Sequence, residues 1–162
     1  MQLIEFFIWR NLNNKFYNNV FSILANILLI FQPITSMMLL SDHTIRNTLL
    51  SSYLLLTIPF ALYNFATKYI HSEKSKNGHL MWHFVDESMM ILILIWSVWL
   101  FFSLFSFVYE QKFIGGILFW AMALIFSYYN YIKDDTVGSM WCWAINLTMI
   151  YYAAYLLFSA IL

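Results

Sequence analysis

The residues best equipped for chemistry lie in one polar stretch, 68–88, which reads KYIHSEKSKNGHLMWHFVDES and holds three of the four histidines of the chain. Imidazole nitrogens and carboxylate oxygens are the donors that zinc and non-haem iron take from proteins. A helix beginning near Gly78 would set His79, His83 and Glu87 at i, i+4 and i+8 on one face, with Asp86 beside them. Two imidazoles one turn apart can converge on a single ion, and a carboxylate one turn further completes a three-donor set. His71 and Glu73 stand upstream as additional donors. The pattern lacks the glutamate that zinc proteases place inside their histidine pair. The competing and simpler expectation is a segment with no metal and no cofactor. In that case Trp82 and Phe84 anchor it among lipid head groups while the histidines and acids face water.

The elements that must position this stretch are apolar enough to set the class of the protein. Of 162 residues, 62% are hydrophobic and only 10% charged. Residues 88–109 and 138–162 contain no Asp, Glu, Lys, Arg or His. A helix of roughly 20 mostly apolar residues crosses the hydrocarbon core of a bilayer, so the expected fold is an all-α integral membrane protein. Five spans are expected, at about 17–40, 47–67, 88–109, 113–132 and 138–162, arranged as a helical bundle in one domain. Residues 1–9 are apolar but too short to cross. They read either as an interfacial helix or as the inner end of a truncated span, which would make the five the last of seven. Gln2 and Glu5, three apart, would share the face of that helix turned to the bundle.

Charge sets the expected orientation. The N-terminal segment, the 68–87 connection and the connection after span four carry Arg10, Lys15, Lys68, Lys74, Lys76 and Lys133, whereas the opposite connections carry only Arg46 and Lys112. Basic residues favour the cytoplasmic face, so the N-terminus is expected inside and the C-terminus on the opposite side. A formal net charge of +0 leaves no electrostatic footprint for nucleic acid. The expected partners are membrane lipids and another membrane protein or a second copy of the chain. The single cysteine, Cys142, cannot form an intrachain disulfide.

Inside the apolar runs, polar residues fall in stripes. Asn19, Ser22, Asn26, Pro33 and Ser36 share one face of span one with Gln32 beside them, and Ser139, Cys142 and Asn146 share one face of span five. Amides in hydrocarbon are costly unless paired, so these faces should look inward, with Asn26 and Asn146 bonding across the interface. The alternative is a polar path for a small solute between spans one and five. No charged residue lies in the five span cores, which argues against a proton-coupled carrier or a voltage sensor.

Three features together, QLIEFFIWRNLN at 2–13, ILLIFQP at 27–33, and the pair NGHLMWH and GSMWCWAIN, resemble an uncharacterised family of small polytopic membrane proteins of large DNA viruses and protists. The resemblance implies a viral membrane protein with further helices upstream in longer members, and it implies no activity. The leading expectation is therefore a non-enzymatic multi-pass membrane protein acting through helix packing and partner or lipid contacts. Two alternatives stand beside it: a passive channel or facilitator lined by Asn19, Ser22, Asn26, Gln32 and Asn146, and a metal-dependent membrane enzyme built on His79, His83 and Glu87.

Overall fold

The computed structural model describes residues 1–84, 89–110 and 114–146. They form α1 (Gln2–Arg10), α2 (Lys15–Met37), α3 (His43–Thr67), β1 (His71–Lys74), β2 (Leu80–His83), α4 (Met89–Tyr109) and α5 (Ile114–Tyr131). A 3-10 turn, Ile132–Asp134, follows α5, and helix resumes from 137 to 146. The chain is predominantly helical, as expected, with one two-stranded hairpin inserted. Among the described residues three helices are long and apolar enough to cross a membrane: Lys15–Met37, His43–Thr67 and Ile91–Tyr109. The last expected span, 138–162, lies largely outside the described residues.

Local signals explain where the helices begin. The Asn14 side chain accepts from the Tyr17 amide at 3.2 Å, so α2 starts at Lys15. Asp42 accepts from the Thr44 and Ile45 amides at 2.8 and 3.0 Å, which starts α3 at His43, four residues ahead of the apolar boundary at 47. Each cap satisfies amides that the first helical turn leaves without partners.

Pro33 shows how α2 is tied to its neighbours. A helical proline has no N–H to give the carbonyl four residues back, here that of Leu29. The Trp99 indole of α4 donates to that carbonyl at 2.7 Å, and the Tyr53 hydroxyl of α3 donates to the next carbonyl, Ile30, at 2.8 Å. One turn on, the buried Ser36 hydroxyl meets the Ser103 carbonyl at 2.5 Å and the Ser106 hydroxyl at 2.6 Å. Around these bonds Met37, Tyr53 and Phe102 pack with Ile34, Leu49, Leu50 and Val98. The second apolar cluster lies at the opposite end, where Ile8 of α1 and Ala25 of α2 pack with Ile70, Leu80 and Phe84 of the hairpin region.

The connections sort to two ends. Ser41, between α2 and α3, bonds through its amide and hydroxyl to the Glu110 carboxylate after α4 (2.6 and 3.2 Å). At the other end the α1–α2 connection, the hairpin and the 132–136 turn meet: Tyr69 donates to the Lys15 carbonyl at 3.1 Å, and Ser75 donates to the Asp134 carbonyl at 2.8 Å.

Candidate functional site

The segment that was expected to be helical from Gly78 is an antiparallel hairpin. Ser75, Lys76, Asn77 and Gly78 form its turn: the Gly78 amide bonds to the Ser75 carbonyl at 3.0 Å, and the Ser75 amide to the His79 carbonyl at 2.9 Å. Gly78 sits at φ +85°, left-handed backbone that glycine adopts without a Cβ penalty. Asn77 braces the turn by accepting from the His79 amide at 3.0 Å. Its amide nitrogen donates outward to Asp134 at 3.1 Å and to the Thr136 hydroxyl at 2.9 Å.

Asn19 and Ser22 of the expected α2 stripe, together with Asn18, which lay outside it, hold the hairpin's first strand. Asn18, buried, treats Ser72 as a neighbouring strand would: its Oδ1 accepts the Ser72 amide at 2.9 Å and its Nδ2 donates to the Ser72 carbonyl at 2.8 Å. Asn19 donates to the Ile70 carbonyl at 2.7 Å, and the hydroxyls of Ser22 and Ser72 bond at 2.9 Å. These bonds satisfy the outward amide and carbonyl of Ser72 on the edge of β1 and the Ile70 carbonyl just before it. Trp82 of β2 lies over Gly138, close enough that a Cβ there would stand 2.9 Å from the ring, which seats the second strand against the C-terminal helical segment.

Strand register now decides which donors meet. His71 pairs with His83, and Glu73 follows His71 by two residues, so all three side chains lie on one face of the hairpin. His71 Nε2 is 3.3 Å from one Glu73 oxygen and His83 Nε2 is 3.9 Å from the other. One donor atom from each residue lies within 4.8 Å of the other two. The His71 and His83 rings stack at 4.6 Å, and the Tyr69 ring stacks on His71 at 5.0 Å. His71 Nδ1 stands 3.1 Å from the Tyr69 carbonyl, which only accepts, so Nδ1 is the donor in that contact. His83 Nε2 is buried without a hydrogen-bond partner. A cavity of about 530 Å³ opens beside the pair, bordered by His71, His83, Tyr63, Lys68, Tyr69 and Phe84.

The expected set of His79, His83 and Glu87 on one helical face is thus corrected. His79 sits at the turn end of the hairpin, its ring edge-on to Tyr131 at 6.1 Å, and strand geometry carries it away from His83 by roughly 13 Å of backbone. Glu87 and Asp86 lie outside the described residues. The two donors named as additions, His71 and Glu73, are the ones that join His83. A signal for this was present in the sequence: Asn77-Gly78 between two short segments is a strong hairpin mark, although a two-residue loop there would pair His71 with Phe84, and it is the three-residue loop 76–78 with Gly78 left-handed that sets His71 opposite His83.

The other candidate residues are dispersed. Asn26 and Gln32 lie half-buried farther along α2, and Cys142 and Asn146 half-buried on the helical segment 137–146. Among the described residues no hydrogen bond joins Asn26 to Asn146, because α2 turns its proline end toward Trp99, Ser103 and Ser106 of α4 and its opposite end toward the hairpin. Glu5 of α1 is buried and accepts from the Ser139 hydroxyl at 3.1 Å, while the nearby Gln2 Nε2 is buried without a partner. Burial pushes the Glu5 carboxyl above its ordinary value, against the pull of the Ser139 hydrogen bond. Comparison with protein-family models, with curated proteins and with solved structures returns no match for this chain.

Proposed function

We propose that the chain is a non-enzymatic multi-pass integral membrane protein that works through lipid and partner contacts at its hairpin end. In this reading α2, α3, α4, α5 and the helix that begins at 137 are five spans of one bundle, and α1 lies at the interface. The α1–α2 connection, the hairpin and the 132–136 turn face the cytoplasm, and the Ser41 and Glu110 end faces the other side. The resemblance to membrane proteins of large DNA viruses and protists belongs to the same proposal.

One observation carries it. In the apolar stretch of α3 only 11% of the residues are buried, with Leu55 77% and Leu62 63% exposed. A surface of that kind would drive association in water, whereas hydrocarbon solvates it and demands that backbone groups be paired internally, as a helix pairs them. The basic residues support the sidedness, since Arg10, Lys15, Lys68, Lys74, Lys76 and Lys133 belong to the three connections that meet at one end. A solute path between spans one and five has less support, because Asn19 and Ser22 direct their hydrogen bonds to the hairpin.

The test is alkaline extraction of native membranes followed by single-cysteine labelling in a Cys142→Ser background. The chain should stay in the pellet. Asp42→Cys should react with a membrane-impermeant maleimide on intact cells, and Lys76→Cys only after permeabilisation. Release by alkali would overturn membrane insertion, and labelling of both positions from one side would overturn the proposed sidedness.

A further inference from the structure

We propose that His71, Glu73 and His83 form a binding site for one divalent first-row metal of the zinc or iron(II) class, with a coordination position open to the adjoining cavity. The inference goes beyond the function proposed above and depends on hairpin geometry alone, whatever the number of spans. Two imidazoles and one carboxylate are the donor set of zinc and non-haem iron sites that keep a free position. Calcium and magnesium prefer all-oxygen shells, so they fit this set poorly.

The distances are close to those required. Donors about 2.1 Å from a tetrahedral ion stand roughly 3.4 Å apart. His71 Nε2 stands 3.3 Å from one Glu73 oxygen and His83 Nε2 3.9 Å from the other, and donor atoms taken one per residue lie within 4.8 Å of one another, so loading draws the widest pair together by up to about 1.4 Å. The bond from His71 Nδ1 to the Tyr69 carbonyl is the kind of outer contact that sets the tautomer and aim of a metal-binding histidine. His83 Nε2, buried and without a hydrogen bond, gains a partner when an ion is present. The two rings lie 13° from parallel, so their in-plane lone pairs cannot meet at one point as they stand. Loading therefore requires one imidazole to rotate out of the stack. His83 is the one to move, since the Tyr69 carbonyl holds His71. Three protein donors leave at least one position unfilled, and the cavity bordered by both histidines gives it room for water or an anionic oxygen ligand.

The probe is Co²⁺, whose visible bands report coordination number, with Zn²⁺ as competitor, titrated into detergent-purified full-length protein lacking a histidine tag. The expected result is one Co²⁺ per chain with the intense bands of a four- or five-coordinate ion, displaced by one equivalent of Zn²⁺. His71→Ala and His83→Ala should lower affinity by more than about a hundredfold, beyond what loss of an outer-shell contact costs. Glu73→Gln should weaken binding at least tenfold; its side chain is 58% exposed, so this variant keeps the fold if either histidine variant does not. His79→Ala should bind as wild type. Wild-type protein that takes up no more Co²⁺ than Glu73→Gln would overturn the proposal, as would a loss in His79→Ala equal to that in His83→Ala.

Discussion

Removing the Asn18 carboxamide should release the hairpin from α2. In Asn18→Ala the amide and the carbonyl of Ser72 both lose their partner while Ser72 itself stays 1% exposed. A buried backbone group left without a partner costs about 1–3 kcal/mol, so two such groups give roughly 2–6 kcal/mol. The Ser22 hydroxyl, which already reaches both Asn18 and Ser72, can turn to cover one of them. The net cost should then be about 3 kcal/mol, which corresponds to local opening of the hairpin more often by a factor of about 150. Ser22→Ala provides a graded comparison. It removes two side-chain bonds and orphans no backbone group, so it should cost about 1 kcal/mol and less than a tenfold change. Hydrogen–deuterium exchange read by mass spectrometry reports both, in peptides spanning 69–75 and 80–84, with peptides around Tyr53 and Phe102 as an unmoved reference. Exchange in Asn18→Ala within threefold of wild type would refute the idea that the carboxamide holds β1. So would an equal acceleration in the Tyr53 and Phe102 peptides, which would mean that the whole protein had loosened.

Two further perturbations bear on the helices. Trp99→Phe should cost about 1–3 kcal/mol by stranding the Leu29 carbonyl that Pro33 leaves without an amide, measured as thermal unfolding in detergent. In a Pro33→Ala background the returned amide covers that carbonyl and the same substitution should cost less than half as much; equal costs in both backgrounds would remove the proline from the explanation. Glu5 should make stability fall as pH rises. Its native carboxyl holds a proton more tightly than the unfolded one, whose ordinary value is 4.5, so its stabilising contribution is complete below that value and is lost as pH climbs through the raised native one. Glu5→Gln, which keeps a partner for the Ser139 hydroxyl, should flatten this slope, and an unchanged slope would assign it to another group.

Much of the helical framework was legible without coordinates. An uncharged apolar run satisfies its backbone only by bonding four residues back, so α2, α3, α4 and α5 follow from local composition, and caps such as Asn14 and Asp42 move their starts by a few residues. A 3.6 period laid over His79, His83 and Glu87 hides the hairpin, although Asn77-Gly78 marks a turn between strands. The error matters at the candidate site, since a helix would join His83 to Glu87 and a hairpin joins it to His71 and Glu73.

The polar stripe of α2 teaches a second distinction. That Asn19, Ser22 and Ser36 need buried partners follows from their side chains and their apolar setting. Which partners they take does not follow, because a carboxamide or hydroxyl accepts any suitably placed group. Ser22 reaches β1 and Asn19 the residue before it, some fifty residues away, Ser36 reaches α4 across 67 and 70, and among the described residues none of the three reaches the other expected stripe. The apolar class, the helices and the demand for hydrogen bonds follow from the residues themselves, because each rests on composition or on contacts within a turn or two. The tertiary structure alone decided that the α2 stripe clasps a strand, that Trp99 serves the carbonyl freed by Pro33, and that two histidines and a glutamate share one face. Those outcomes depend on distances between segments far apart in the chain, which local composition does not encode.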